Sequence, residues 1–355
     1  MPFNVSILGM GTMRLPLNGT NPDIDSSISL LKTAMSKGIN LFDVGTFYGN
    51  GQCEEVFGRC IEGTPRDKLI LTGKNSSHQN NSVDWTASLY NTLHLFHSDH
   101  LDLYLLHFLT WDKWSSYFLQ KNILQQVTDT HKNGLFRFLG FSSHDKPDNV
   151  RKLIDTDLFS AVILPFNLLN RSYETVMQYA FDKGLGVIAM NPLAAGVLAT
   201  SDLYLSAFQD EYQKQLASHA LNFVLSQPFI HCVLSGMETE EIIDENCNTV
   251  EQKRLSEEDI SVLNESLESE KVNRYIPCTG CQYCLPCPQG IDIPKIIGFM
   301  NQYSIVHRQR VYHREYSLLP VTAECCIDCN SCVEKCTYHI PIPRIMGRAA
   351  ELFSS

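Results

Sequence analysis

Gly38-Ile-Asn-Leu-Phe-Asp43-Val-Gly-Thr-Phe-Tyr48-Gly49 begins as a short apolar run and ends on an acid, two glycines and a tyrosine. Such a run reads as a buried strand giving way to a loop. The same pattern recurs along the chain. Val5–Gly9, Ile39–Val44, Lys68–Leu71 and Leu101–Leu106 run out at Gly, Asp, Thr or His, and Phe136–Phe141, Ser160–Pro165, Gly186–Met190 and Ile230–Leu234 continue the series. Between them lie segments with apolar residues at helical spacing, such as Ser27–Lys37 and Asp84–Phe96. Strands alternating with helices build a parallel sheet. Eight rounds predict closure into an α/β (β/α)8 TIM barrel, whose chemistry sits at the carboxyl ends of its strands.

The barrel does not use the whole chain. Of 13 cysteines among 355 residues, nine follow residue 277; Cys53, Cys60, Cys232 and Cys247 are scattered before it. The first run is Cys278-Thr-Gly-Cys281-Gln-Tyr-Cys284-Leu-Pro-Cys287-Pro288, and the second is Cys326-Ile-Asp-Cys329-Asn-Ser-Cys332-Val-Glu-Lys-Cys336. Three cysteines at two-residue spacing let one backbone loop wrap three corners of an iron–sulfur cube, the fourth cysteine reaching the other cluster. Cys278, Cys281, Cys284 and Cys336 are assigned to one 4Fe-4S cluster; Cys326, Cys329, Cys332 and Cys287 go to a second. Zinc modules set two close cysteines against a distant pair, and disulfides belong to exported chains. Cys325 has the wrong register for a ligand and reads as a spare thiol.

The expected division is a barrel over residues 1–270 and a small, mainly α-helical iron–sulfur domain over 271–355, with the capping box Ser256-Glu-Glu-Asp259 opening a helix at the joint, to about Ser269. A spacer helix is expected over Ile291–Tyr312. The formal charge of −11 and the lack of a basic run argue against nucleic acid as a partner. No apolar run approaches a membrane span, and Met-Pro-Phe-Asn-Val does not open like a secretion signal, so a cytoplasmic protein is expected. His94, His97 and His100 read as a solvated helix face.

Candidate chemistry lies just after the strands. Asp43 and Tyr48 follow the second, Lys74 the third and His107 the fourth. Gly38-Ile-Asn-Leu-Phe-Asp43-Val-Gly-Thr-Phe-Tyr48-Gly49, Leu71-Thr-Gly-Lys74 and Leu103-Tyr-Leu-Leu-His107 together resemble an aldo-keto reductase over roughly residues 5–250. The C-terminal part resembles the ferredoxin module of an iron–sulfur branch of that family. The resemblance implies carbonyl reduction, or alcohol oxidation, with a nicotinamide nucleotide. Tyr48 donates the proton, Lys74 held by Asp43 favours the phenolate, and His107 orients and polarises the carbonyl.

The resemblance also implies cofactor contacts, with departures. Ser142 and Ser143 stand in the loop that holds the nicotinamide amide, Ser143 where the family has Asn. Ile163 replaces the family's Gln before Phe166-Asn167. Met190 replaces a ring-stacking aromatic, and Asn191-Pro192-Leu193 follows the pyrophosphate loop. After the eighth strand, Ser235-Gly236-Met237-Glu238 and Ile242 carry none of the cations that take the 2′-phosphate of NADPH, although Glu245-Asn246 matches the adenine contact. NADH is expected to bind at least as tightly as NADPH, the choice staying open. The substrate is a small carbonyl or alcohol, and Trp111, Trp114 and Tyr117 in one loop suggest a bulky or cyclic apolar one. A ferredoxin or flavoprotein is a candidate electron partner. The rival reading is an electron-transfer protein whose barrel docks a redox partner.

Overall fold

Eight parallel strands, mostly buried along their length, close on themselves and so leave no edge exposed. They are β1 (Leu8–Gly11), β2 (Leu41–Asp43), β3 (Ile70–Asn75), β4 (Leu101–Leu106), β5 (Phe136–Ser142), β6 (Ala161–Pro165), β7 (Gly186–Met190) and β8 (Cys232–Ser235). Each pairs with its sequence neighbour, and β1 pairs with both β2 and β8. The structure is a computed structural model describing residues 4–19, 21–79, 81–121, 123–199, 216–261, 275–280, 282–305, 309–336 and 338–353. Two compact units divide the chain. One is Met1–Phe166, Ser172–Pro192 and Val224–Lys253; the other is Asn167–Arg171, Leu193–Phe223 and Arg254–Ser355.

The predicted strands recur, two of them unmoved and the others shifted by up to four residues at an end. β1 starts at Leu8 rather than Val5 because Ser6 is tied to Asn40 through side chains. The Ser6 amide donates to Asn40 Oδ1 at 2.8 Å and the Asn40 amide donates to Ser6 Oγ at 3.1 Å. β3 starts at Ile70 because Arg66–Lys68 forms a 3-10 turn, and it runs on to Asn75. Inside the barrel Leu41, Ile70, Leu103, Leu105, Ala161, Ile163, Ile188, Cys232 and Leu234 pack as one cluster, as expected where alternate strands stack their inward side chains. Ile163, one of the departures at the expected cofactor loop, is part of that interior.

Helices follow the strands: α1 (Ile24–Ser36), α2 (Cys53–Ile61), α3 (Thr86–Leu95), α4 (Ile123–Lys132), α5 (Pro147–Ile154), α6 (Glu174–Asp182), α7 (Leu216–Leu225) and α8 (Glu240–Glu251). Asp23 caps α1 by accepting from the Ser26 amide, and Thr239 caps α8 by accepting from the Ile242 amide. The loop after β4 turns helical at Trp111–Lys113 and then π-helical at Trp114–Leu119. It buries Trp114 and Tyr117, so these two rings are core and only Trp111 stays part-exposed.

In the second unit the span expected as one spacer helix holds two, α9 (Ile293–Ile305) and α10 (Gln309–Ser317), which pack on each other and on α12 (Ile342–Phe353). A five-residue helix, α11 (Ser331–Lys335), lies among the cysteines. The core is aliphatic, with Ile293, Ile296, Ile297 and Met300 of α9 meeting Ile342, Ile345 and Met346 of α12. Asn301 reaches from α9 to the strand-like segment before Cys278. It accepts from the Ile276 amide at 2.7 Å and donates to the Ile276 carbonyl at 2.8 Å, satisfying a buried backbone that no sheet covers. The capping box forms: Ser256 Oγ accepts from the Asp259 amide and Asp259 Oδ2 from the Ser256 amide. The expected remainder of that helix, to Ser269, lies outside the described residues. No helix among the described residues is long and apolar enough to cross a membrane.

Candidate functional site

Asp43 ends β2, Lys74 sits near the end of β3 and His107 follows β4, so parallel strand pairing alone brings their side chains to one rim. Tyr48 is added by the loop after β2, where its ring lies on Gly45; a Cβ there would come within 3.2 Å of the ring. Lys74 Nζ donates to Asp43 Oδ2 at 2.8 Å and to Tyr48 Oη at 2.7 Å. Lys74 is 1% exposed and Asp43 7%, so each charge has removed the other's need for water. Asp43 Oδ1 is buried and receives no hydrogen bond among the described residues.

His107 completes the group. Its ring meets the Tyr48 ring edge-on with centroids 5.8 Å apart, and its Nδ1 lies 3.1 Å from Ser76 Oγ. Burial first, and then the Lys74 charge, push the imidazole well below its usual range, so it is neutral near pH 7. Phe108, next in sequence, is held at φ +54°, a strained conformation for a side-chain-bearing residue, with its ring stacked on His107. Ser142 and Ser143 enforce that strain. Ser142 Oγ accepts from the Phe108 amide at 3.1 Å, and Ser143 Oγ donates to the Leu109 carbonyl at 2.7 Å. The two serines expected at the nicotinamide amide therefore clamp the loop that carries His107. Ser76 and Phe108 had no signal in the sequence, since their roles exist only once β3, β4 and β5 are adjacent.

The other expected cofactor residues fall in different settings. Ser235 and Asn246 meet, Asn246 Nδ2 donating to Ser235 Oγ at 3.1 Å, while Glu245 is exposed on α8. Met190 ends β7 and its carbonyl accepts from the Phe166 amide; Asn191 follows in a left-handed conformation. Asn167 and Leu193 belong to the second unit, where Asn167 Oδ1 accepts from the amides of Leu169 and Asn170.

The cysteine runs of the second unit are one loop built twice. The residues flanking Cys281, Gly280 and Gln282, have φ of +64° and +65°; those flanking Cys329, Asp328 and Asn330, have +53° and +60°. Both runs thus carry a left-handed residue on each side of their second cysteine. The likeness continues past the fourth cysteines, where Cys287-Pro-Gln-Gly290-Ile-Asp-Ile-Pro-Lys-Ile-Ile-Gly298 parallels Cys336-Thr-Tyr-His339-Ile-Pro-Ile-Pro-Arg-Ile-Met-Gly347. Gly290 donates to the Cys287 carbonyl at 2.9 Å and His339 to the Cys336 carbonyl at 3.0 Å, after which α9 and α12 begin alike. Sequence reasoning took the two cysteine runs and overlooked this longer repeat, although Ile-x-Ile-Pro-Lys/Arg-Ile was there to find.

Cys287, Cys326, Cys329 and Cys332 line one shallow pocket, together with isoleucines of both halves. Thus the fourth cysteine of the first run lines the same pocket as three cysteines of the second. Cys278, Cys284 and Cys336 flank the same aliphatic core; Cys281 lies outside the described residues. No group of three or more His, Cys, Asp or Glu side chains among the described residues is close enough to hold a metal ion as it stands. No described cysteine is in a disulfide, and Cys325 is exposed.

The profile of the Aldo/keto reductase family matches residues 7–268, and so stops before the first cysteine run. An uncharacterized oxidoreductase of Bacillus subtilis, YqkF, is 24% identical over 296 residues, spanning 74% of this chain and 92% of that protein. Among solved structures, aldo-keto reductase AKR11C1 from Bacillus halodurans in its holo form overlays with a TM-score of 0.61 at 22% identity, covering 74% of this chain and 92% of its own. An aldo/keto reductase from Klebsiella pneumoniae, in complex with NADP and acetate, gives 0.61 at 21% identity, covering 74% and 91%. These overlays share the barrel.

Proposed function

Since the chain belongs to the aldo/keto reductase family and is an oxidoreductase of that type, we propose that it reduces a small carbonyl compound, or oxidises the alcohol, with a nicotinamide nucleotide. The observation that carries this is the buried Lys74 ammonium between Asp43 and Tyr48, 2.8 and 2.7 Å from their oxygens. When bound, the nucleotide supplies or accepts the hydride. The chain's own groups manage the proton and the charge. Tyr48 gives its proton to the oxygen that becomes the alcohol, and Lys74 stabilises the phenolate left behind. Asp43 holds Lys74 in place. A Ser76 hydroxyl donating to Nδ1 leaves the His107 proton on Nε2, the tautomer that donates to a carbonyl oxygen.

Two features suit the nucleotide. The orphaned Asp43 Oδ1 is a buried acceptor that a ribose hydroxyl would satisfy. The Klebsiella pneumoniae relative of the same fold holds NADP. We assign residues 1–270 to the reductase barrel and 271–355 to a ferredoxin-like domain with two 4Fe-4S clusters. Cys278, Cys281, Cys284 and Cys336 would hold one, and Cys326, Cys329, Cys332 and Cys287 the other. Soft thiolates in two like-spaced runs around an aliphatic core are the donor set such clusters take. Bound there, they would carry single electrons, exchanged with a ferredoxin or flavoprotein in the reducing setting of the cytoplasm.

The test is Tyr48→Phe, which removes one hydroxyl and leaves the ring on Gly45. Carbonyl reduction should fall by about 10²–10⁴, with nucleotide affinity unchanged in a fluorescence titration. Undiminished turnover would place the reaction elsewhere.

A further inference from the structure

The nucleotide site proposed above lacks the cations expected after β8, because Gly236 and Ile242 occupy their places. A cation nevertheless reaches this rim from the opposite side of β1. Arg14 ends the 3-10 turn Thr12–Arg14 that follows β1, and β1 pairs directly with β8. Thr12 fixes the turn by donating from Oγ1 to the Asp43 carbonyl at 3.1 Å. The aliphatic stem of Arg14 lies on Gly236: a Cβ added to that glycine would come 2.9 Å from Arg14 Cγ and 3.2 Å from its Cβ. Gly236 itself is exposed and Arg14 half-buried, so the contact lies at the surface of the rim. The glycine that removes one cation therefore makes room for another.

Three of the acids on the following helix are turned elsewhere. Glu240 Oε1 accepts from Thr33 Oγ1 on α1, Asp244 pairs with Lys37 of α1 at 2.7 Å, and the Glu241 carboxylate bonds to Thr239. The repulsion expected from a run of glutamates thus falls away from the Gly236 edge for these three residues.

We propose that Arg14 binds a phosphate of the dinucleotide, taking over across the β1–β8 seam the task that the residues after β8 have given up. This rests on the nicotinamide reading. A guanidinium offers forked donors to a phosphate and keeps its charge at every working pH. Its stem is braced against Gly236, so little side-chain freedom is lost on binding.

Titration of the full-length protein with NADH and with NADPH, followed by nucleotide fluorescence, tests the assignment. Arg14→Met should weaken binding about tenfold to a hundredfold, the range for hydrogen bonds to a charged group, and should flatten the salt dependence of Kd. Arg14→Lys should restore most of the affinity. Gly236→Ala, which pushes on the stem without touching the charge, should weaken binding by a smaller factor. Loss with both nucleotides identifies the shared pyrophosphate, and loss with NADPH alone identifies the 2′-phosphate; either supports the proposal. Unchanged affinity for both in a folded Arg14→Met protein overturns it and leaves the nicotinamide reading intact. A wild-type chain that binds neither nucleotide overturns both.

Discussion

At the barrel rim, side chains hold side chains; in the second unit, backbone turns hold the cysteines. Lys74, Asp43 and Tyr48 are buried against one another at hydrogen-bond distance, because buried charges are tolerable only when paired. Left-handed residues flank Cys281 and Cys329, and four cysteines line one pocket, yet no three described metal-ligating groups are close enough to hold an ion. The first kind of site is organised before its cofactor arrives. The second, if it takes the clusters proposed above, would be completed by them, since thiolates crowd favourably only around a metal.

The largest expected effect follows from that difference. The chain purified without oxygen should carry about eight irons and eight sulfides. Cys329→Ser should remove about half the iron and loosen the second unit to proteolysis, whereas Cys325→Ser should remove none. A colourless protein with stoichiometric zinc would break the comparison, because zinc sites set two close cysteines against a distant pair.

At the barrel the expected loss is kinetic. Lys74→Met should lower carbonyl turnover by about 10²–10⁴ while the strands, measured by circular dichroism, keep their content. His107 is neutral throughout the usual assay range, since burial and the Lys74 charge depress its pKa well below 6.5. The pH–rate profile should therefore show no limb from this histidine between about pH 6.5 and 8. A limb that disappears in His107→Gln would contradict the buried, neutral ring.

A third substitution tests how the second unit is held. Asn301→Leu keeps the volume and strips both partners from the Ile276 backbone. Two buried groups left unpaired at roughly 1–3 kcal/mol each should lower the denaturant midpoint of the second unit's transition. An unchanged midpoint would mean that water reaches Ile276.

The eight strands were legible because a strand buried on both faces is a plain apolar run. Asp43, Tyr48, Lys74 and His107 were picked out because they stand at or just beyond the ends of such runs and together resemble the family's set. The cysteines were legible from spacing alone. What escaped depends on neighbours across the sheet: Ser76 behind His107, Ser142 and Ser143 clamping Phe108, and Arg14 on Gly236. No local pattern marks these, since each joins residues about thirty or more positions apart in the chain. Trp114 and Tyr117 misled in the opposite direction, because an aromatic loop reads as a pocket until its π-helix is seen to bury the rings.

The smallest expected effect lies where α2 meets α3: Glu54 of α2 is 2% exposed and accepts from Thr92 Oγ1 at 2.7 Å, with no cation paired to it among the described residues. Burial raises its carboxyl from 4.5 to about 7. The folded protein thus holds a proton that the unfolded chain releases at lower pH. The resulting stability is fully present below about pH 4.5 and is lost as pH rises through about 7. At 1.36 kcal/mol per unit this is about 3 kcal/mol at most. Glu54→Gln keeps the hydrogen bond to Thr92 and removes the proton. Thermal unfolding from pH 5 to 8 should then lose a fall of a few degrees present in the wild type, and the two proteins should differ most at pH 8, where the variant is the more stable. Parallel curves across that range would mean that the Glu54 carboxylate is stabilised in place, and that this interior, unlike the Lys74 site, tolerates a charge without a partner.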